Sequence, residues 1–406
     1  DNWMSDLASY LGPQKLNEIC IPGTHDSGTA PISSYSHVNG ETGFDWTNYS
    51  YIFADLLTTE ELLNIFMIIA KTNGTTTGFV TAIVTAIVIG EFIYDVASRS
   101  GLGTIQANWS KAQGDRIRTQ LDLGIRYFDL RVVNEDNDGK YVLSHSMSGE
   151  KLSDVLSDIK GFLNAHPKEF VLLDVNKVYN GGRTDDSGFN HGKFIDFVRN
   201  ALGEDWLIPR NPESMRLNDL WRQRNGKGGV VLFYCHHDTV SSRPYLWYHC
   251  QRDTDDVSQY SQNESSNHAS WVINPWANTD NPAYLLHFWD KFANDQGSAL
   301  GDARNRGCFS VLQAQLTDQT GHDKDSDLPQ KKRSMILGGM AWLARKHKQQ
   351  FIVGPILWAV TDKLAGKSPD KVPVTLEELA QKSNAAFFDA MIKDTTLQDF
   401  AKNELN

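Results

Sequence analysis

The chain has 406 residues, long enough for two or three average domains but also within the range of one α/β barrel carrying insertions. Its 39 Lys and Arg against 50 Asp and Glu give a net charge of −11. That balance excludes a protein whose affinity rests on a polyanion such as nucleic acid. Hydrophobic residues at 40% and charged residues at 22% exclude a disordered or collagen-like chain and supply a sizeable core. Four cysteines, Cys20, Cys235, Cys250 and Cys308, are too sparse for a disulfide scaffold and contain no C-x-x-C pair; Cys235 and Cys250 are the pair to check for a bridge. The opening residues Asp1-Asn2-Trp3 have neither an initiator Met nor a charged-then-apolar leader, the pattern of a processed chain.

In chain order, apolar runs at Asn17 to Ile21, Ile125 to Val133, Tyr141 to His145, Glu169 to Val175, Gly229 to Cys235 and Phe309 to Leu316 read as buried strands. Between them, Lys151 to Ala165 and His191 to Leu202 carry helical periodicity. Strand, helix, strand is the α/β pattern, and a barrel of that kind places its site at the C-terminal ends of the strands. Two segments interrupt the rhythm. Thr58 to Ala97 holds a capping box (Thr58, Glu61), an apolar helix (Leu62 to Ala70), a turn at Asn73-Gly74 and a second run, Gly78 to Gly90, with almost no polar face. It reads as an inserted αα-hairpin whose second helix, about 20 Å long, is too short to span a bilayer core. Ser242 to Asn281, rich in Ser, Asp, Asn and Trp, reads as long loops.

Chemistry-bearing residues gather where these strands end. Ile21-Pro22-Gly23-Thr24-His25-Asp26-Ser27-Gly28-Thr29 puts an imidazole beside a carboxylate in a Gly/Ser-rich loop, which alone fits a helix-capping turn equally well. Asp129-Leu130-Arg131 ends the next strand, with Asp129 and Arg131 on one face by alternation; a structural ion pair is the competing account. Leu143-Ser144-His145 ends the third, and a lone His there is ordinarily structural. Converging in one cleft, two histidines, two carboxylates and an arginine supply a general base, a general acid and a cation for a phosphoryl oxygen.

The segment Ile21 to Thr29, then Gly124 to Arg131, His145 and Glu169 to Asp174, resembles in order and spacing the X domain of phosphatidylinositol-specific phospholipase C. Trp271, the run Pro275 to Thr279 and Phe309 to Thr317 look like the later motifs of the X-domain-only branch. The resemblance implies a single distorted TIM-type (β/α) barrel over residues 1–406 with the helical hairpin inserted at 58–97. It implies a phosphorus-oxygen lyase that cleaves phosphatidylinositol to diacylglycerol and inositol 1,2-cyclic phosphate. By family likeness His25 takes the proton of the inositol 2-hydroxyl, His145 protonates the departing oxygen, Asp26 orients His145, Arg131 neutralises the phosphoryl oxygens, and Asp129 fixes Arg131 or the 2-hydroxyl.

The Asp26 and Arg131 pattern is similar to the metal-independent bacterial type, so no cofactor is expected, with calcium as the alternative. Where the bacterial enzymes place a substrate-contacting lysine this chain has Asn176, with Lys177 one position off; both, with Trp276, are weak candidates for substrate binding. The family's carboxylate behind the first His is sought in Asp399 or in a strand beyond Asn406. The implied partner is a phosphoinositide lipid at a membrane interface, reached by a monomer that is secreted or peripheral; Lys331-Lys332-Arg333 and Arg345-Lys346-His347-Lys348 flank an apolar stretch that fits a lipid-facing patch or a solvated helix end. The alternatives are a non-catalytic phosphoinositide- or inositol-binding protein, or a glycerophosphodiester phosphodiesterase.

Overall fold

The computed structural model describes residues 2–33, 35–37, 107, 110–135, 139–181, 183, 185–210, 215–249, 270–277, 279, 284–288 and 307–314. The predicted hairpin at 58–97, Asp399, Cys250, Asn278 and the basic clusters near 331 and 345 lie outside the described residues.

A parallel arc organises the rest. Strands β1 (Gly23–Thr24), β2 (Tyr127–Asn134), β5 (Phe170–Asn180), β6 (Gly229–Tyr234) and β7 (Leu246–Tyr248) pair in that order, all parallel. Strands β3 (Tyr141–His145) and β4 (Met147–Lys151) form an antiparallel hairpin on the β2 edge that β1 leaves uncovered. A further parallel pair, β8 (Val272–Ile273) and β9 (Phe309–Ser310), continues the arc: the Trp271 amide donates to the Tyr248 carbonyl at 2.8 Å. On its far side the Asn17 side chain donates to the Cys308 carbonyl at 3.3 Å, bringing β9 back towards the segment before β1. The α/β class read from the sequence therefore holds. Among the described residues the ring is joined at these two places by single bonds rather than ladders, which makes it a distorted barrel that does not close within them.

Alternation along the strands separates two cores. Phe128, Leu130 and Val132 of β2, Val171, Leu173 and Val175 of β5, and Val230 and Leu232 of β6 face outward onto helices α3 (Ile117–Asp122), α4 (Leu152–Ala165) and α5 (His191–Leu202). Tyr127, Phe170, Leu172, Val231, Phe233, Trp247, Val272 and Phe309 face inward and meet Met4, Leu11, Leu16, Leu217 and Leu220. At the closed end, Arg126 pairs with Glu169 at 2.8 Å, both side chains fully buried. The second Glu169 oxygen accepts the amides of Met4 at 2.9 Å and Ser5 at 3.2 Å, and Arg126 lies over the Phe162 ring. This pair ties the N-terminal segment to the barrel floor.

Several boundaries differ from the sequence reading. Asn17 to Ile21 is not a strand: Leu16–Glu18 is a 3-10 turn, and the ladder is confined to Gly23–Thr24. Of the run predicted from Phe309, residues 309–314 are described and pair at Phe309–Ser310, whereas the strand beginning at Phe170 extends to Asn180. Ser242 to Asn281 is not all loop, because β7 and β8 lie within it. Their shortness explains the miss: three and two residues show no periodicity.

Removing one partner of a buried ion pair leaves an uncompensated charge. Glu169→Gln is expected to lower unfolding free energy by about 3–5 kcal/mol in urea titrations; a loss below about 1 kcal/mol, the range of exposed pairs, would refute the anchoring role.

Candidate active site

The open end of the arc carries the polar side chains. His25 and Asp26 follow β1 directly, and their loop is bound on every side. The Ser27 amide donates to the Asp129 carbonyl at 3.0 Å, Gln120 Nε2 donates to the Ser27 carbonyl at 2.8 Å, and Gln113 Nε2 donates to the His25 carbonyl at 2.7 Å. The Glu150 amide donates to the Gly28 carbonyl at 2.9 Å, which seats the loop on β4. A Cβ at Gly28 would lie 2.1 Å from the Leu143 side chain, so the close approach of this loop to the strand bearing His145 requires glycine. Asp26 adopts a left-handed backbone (φ 46°) that Asp tolerates better than most residues.

Within this frame the predicted residues meet. His25 Nδ1 lies 2.6 Å from Asp129 Oδ2 and its Nε2 lies 2.9 Å from Asp26 Oδ2. Arg131 Nε sits 2.8 Å from Asp26 Oδ1, while His145 Nδ1 is 3.6 Å from Asp26 Oδ2. Asp26 thus touches both histidines and the guanidinium, and stands closer to His25 and Arg131 than to His145. Asp129 also accepts the Asp26 amide at 3.2 Å and the side-chain amide of Asn176. His145 Nδ1 lies 3.0 Å from the Ser110 carbonyl, which can only accept, so Nδ1 carries the proton in that contact.

Among the described residues the carboxylate on Nδ1 of His25 is that of Asp129, on the second strand of the arc, while Asp399 lies outside them. Asn176 and Lys177 are resolved by a bulge. Leu130 pairs with Val175 and Arg131 with Lys177, so β5 has one extra residue, Asn176, opposite that step of β2. Asn176 turns to Asp129, and Lys177, as the register partner of Arg131, shares its face. Trp276 is half-buried on the segment after β8 and makes none of the contacts above. Ser110, Gln113 and Gln120 were missed, since a Gln or a backbone carbonyl in a loop gives no sequence signal of its own.

The charges depend on one another. Burial alone lowers the His25 pKa, but the carboxylates of Asp26 and Asp129 outweigh it and raise it from 6.5 to about 9. Burial raises Asp26, yet Arg131, His145 and His25 hold it far below the usual carboxylate range. Burial likewise opposes ionisation of Asp129, and His25 overcomes it. At neutral pH two carboxylates face an imidazolium and a guanidinium. The donor atoms of His25, Asp26 and Asp129 lie within 4.8 Å of one another, as in a cation site. In this structure each of these carboxylates contacts His25, and Arg131 lies on Asp26.

Two imidazoles and a guanidinium, organised by paired carboxylates at the open end of an α/β barrel, define an acid–base site with a built-in cation. The comparisons place a family beside that geometry. No protein-family model matches the chain. PI-PLC X domain-containing protein 2 of Mus musculus is 27% identical over 318 residues, covering 78% of this chain and 69% of that protein. Its Homo sapiens counterpart is 26% identical and is covered to 77%. The variant-surface-glycoprotein phospholipase C of Trypanosoma cruzi is 28% identical over 226 residues, 54% of this chain and 47% of that protein. A solved phosphatidylinositol-specific phospholipase C from Staphylococcus aureus aligns over 86% of both chains at 14% identity, with a TM-score of 0.43. The chain is a homologue of the PI-PLC X domain-containing proteins, and the likeness read from its motifs is supported.

Because the His25 pKa is raised on folding, its charge stabilises the protein fully below about pH 6.5, and that contribution is lost as pH rises through about 9. The urea-midpoint advantage of the wild type over His25→Gln is expected to shrink across that window. A gap that stays constant from pH 6 to pH 10 would show that the imidazolium is not held by the two carboxylates.

Proposed function

We propose that the protein is a phosphodiesterase of the phosphatidylinositol-specific phospholipase C type. The observation that carries this reading is His25 held by Asp129 at Nδ1, with Asp26 linking its Nε2 to Arg131 and His145. His25 Nε2 takes the proton of the inositol 2-hydroxyl. The 2-oxygen bonds to phosphorus, the bond from phosphorus to the diacylglycerol oxygen breaks, and His145 Nε2 delivers a proton to that oxygen. The products are inositol 1,2-cyclic phosphate and diacylglycerol, with no change in oxidation state.

Arg131 offers a permanent cation to the non-bridging oxygens as charge builds on them. Lys177, on the same face, is the candidate contact for the headgroup. The raised His25 pKa has a cost: with a value near 9, about one molecule in a hundred holds the free base at pH 7. Entry of the phosphodiester anion towards Arg131 competes for the guanidinium now on Asp26. The substrate implies action at a membrane interface, and among the described residues no helix is long and apolar enough to cross a membrane.

Turnover of phosphatidylinositol with detection of the cyclic phosphate is the direct assay. His25→Ala and His145→Ala are each expected to lose about 10²- to 10⁴-fold in kcat. A substrate with a good leaving group, which needs no acid, should partly restore His145→Ala but not His25→Ala; equal restoration of both would overturn the assignment of roles.

The second expectation concerns metals. Activity should persist in excess chelator, since Arg131 supplies the cation. Loss on chelation with recovery on adding calcium would refute the role given to Arg131.

A further inference from the structure

Beside and beneath the acid–base cluster, the described barrel interior holds a buried polar group of Asp174, Tyr127 and His249 next to the apolar inner layer. Asp174 of β5 is fully buried. Its Oδ2 accepts the Tyr127 hydroxyl at 2.5 Å, and its Oδ1 lies 2.6 Å from Nδ1 of His249, whose side chain is also fully buried. None of these three groups can reach solvent or substrate as the site is built, and the reaction above uses none of them.

The neighbours of this cluster explain it. Asp174 is the register partner of Asp129 on the adjacent strand, Tyr127 precedes Asp129 by two residues on the same face of β2, and Asn176 follows Asp174 by two on β5. The bulge that turns Asn176 onto Asp129 begins one residue after Asp174 pairs. A bulge is a local choice of register that the ladder alone does not dictate. It needs its flanks fixed.

We propose that Asp174, clamped between the Tyr127 hydroxyl and the His249 imidazole, is a positioning residue for the reaction: it holds the β5 bulge so that Asn176 fixes the Asp129 carboxylate that in turn holds His25. Burying a carboxylate and an imidazole costs several kcal/mol per ion, and apolar side chains of similar volume commonly replace such pairs with no loss of stability. Stability therefore does not account for a buried carboxylate level with Asp129 and one inward step above Leu172. Specific geometry does. The charges facing His249 agree with it: burial lowers its pKa, but Asp174, with Asn274 and Asp129, raises it, while the nearby Cys235 thiol is pushed up to about 12 and remains neutral.

The inference rests on the reading of His25 as the working base, so its test has one arm that does not require turnover. In the proton NMR spectrum of the folded protein the Nδ1–H of His25, bound to Asp129, should give a strongly downfield resonance. Asp174→Asn is expected to move that resonance upfield and to lower kcat on phosphatidylinositol by up to about 10²-fold with KM within about twofold. Val231→Ala, a cavity variant in the same inner layer, should lose stability and keep both. If Asp174→Asn loses stability alone, with resonance and kcat as in the wild type, the inference is overturned. Where Asp174→Asn does not fold, Tyr127→Phe removes a single oxygen from the clamp, and an unmoved His25 resonance there overturns it equally. A wild type that turns over no phosphatidylinositol counts against the functional reading, and the resonance still decides the positioning role.

Discussion

The site depends on one carboxylate. Asp129 binds His25 at Nδ1, accepts the Asp26 amide and the Asn176 side chain, and through its own carbonyl accepts the Ser27 amide. Those contacts reach the loop after β1 and strand β5 from a position on β2 between them. An ionised carboxylate satisfied by several donors favours its charged form despite burial. That charge, with that of Asp26, then raises the proton affinity of His25, whose Nδ1 faces Asp129 and whose Nε2 faces Asp26. The loop, the ring and the bulge are all aligned to a group held by the second strand of the arc.

The strand alternation that builds the two cores also builds the site. On β2, Phe128 and Leu130 bury outward against the helices while Tyr127, Asp129 and Arg131 point inward. Shifting the register by one residue would exchange the two sets, placing two charges in the helix interface and two apolar side chains in the cleft. The burial of the outer core is thus what holds the polar face inward. The departure from strict alternation on β5, the extra residue at Asn176, lets Asn176 and Lys177 act on the same side.

Much of this was legible in the sequence. The strands Tyr141 to His145 and Gly229 to Tyr234 and the helix His191 to Leu202 are long, periodic and well bounded, and the motif order gave His25, Asp26, Asp129, Arg131 and His145 as one set. The rest was hidden for identifiable reasons. β1, β8 and β9 have two residues each, too few for a period. The bulge is a relation between two strands, so a reading along one strand made Lys177 one position off. Family likeness points for a partner of His25 to Asp399, which lies outside the described residues, and gives Asp129 to Arg131 or the 2-hydroxyl, so the contact from Asp129 to His25 had no signal of its own. Tyr127 and Asp174 lay inside quoted motifs as strand residues, and His249 lay in a stretch read as loop; no local pattern marks a contact across 75 residues.

The charge balance of the cleft also reconciles an acidic protein with the anionic substrate proposed for it. A net charge of −11 repels a phosphodiester at long range, but that repulsion is screened beyond about 8 Å at physiological ionic strength. What the phosphate meets on contact is local. Asp26 and Asp129 are matched by Arg131 and protonated His25, so the resting cluster is neutral rather than negative. Bringing a phosphate oxygen to Arg131 weakens the hold of the guanidinium on Asp26 and frees that carboxylate to act on the imidazoles it already touches. A calcium ion in the same place would have to be bound first from solution and would compete for the carboxylates that orient His25. A guanidinium on β2 is covalently present and lies on Asp26, so Asp129 keeps its contact with His25, and on the proposed reading one strand supplies both the cation for phosphorus and the anion for the base.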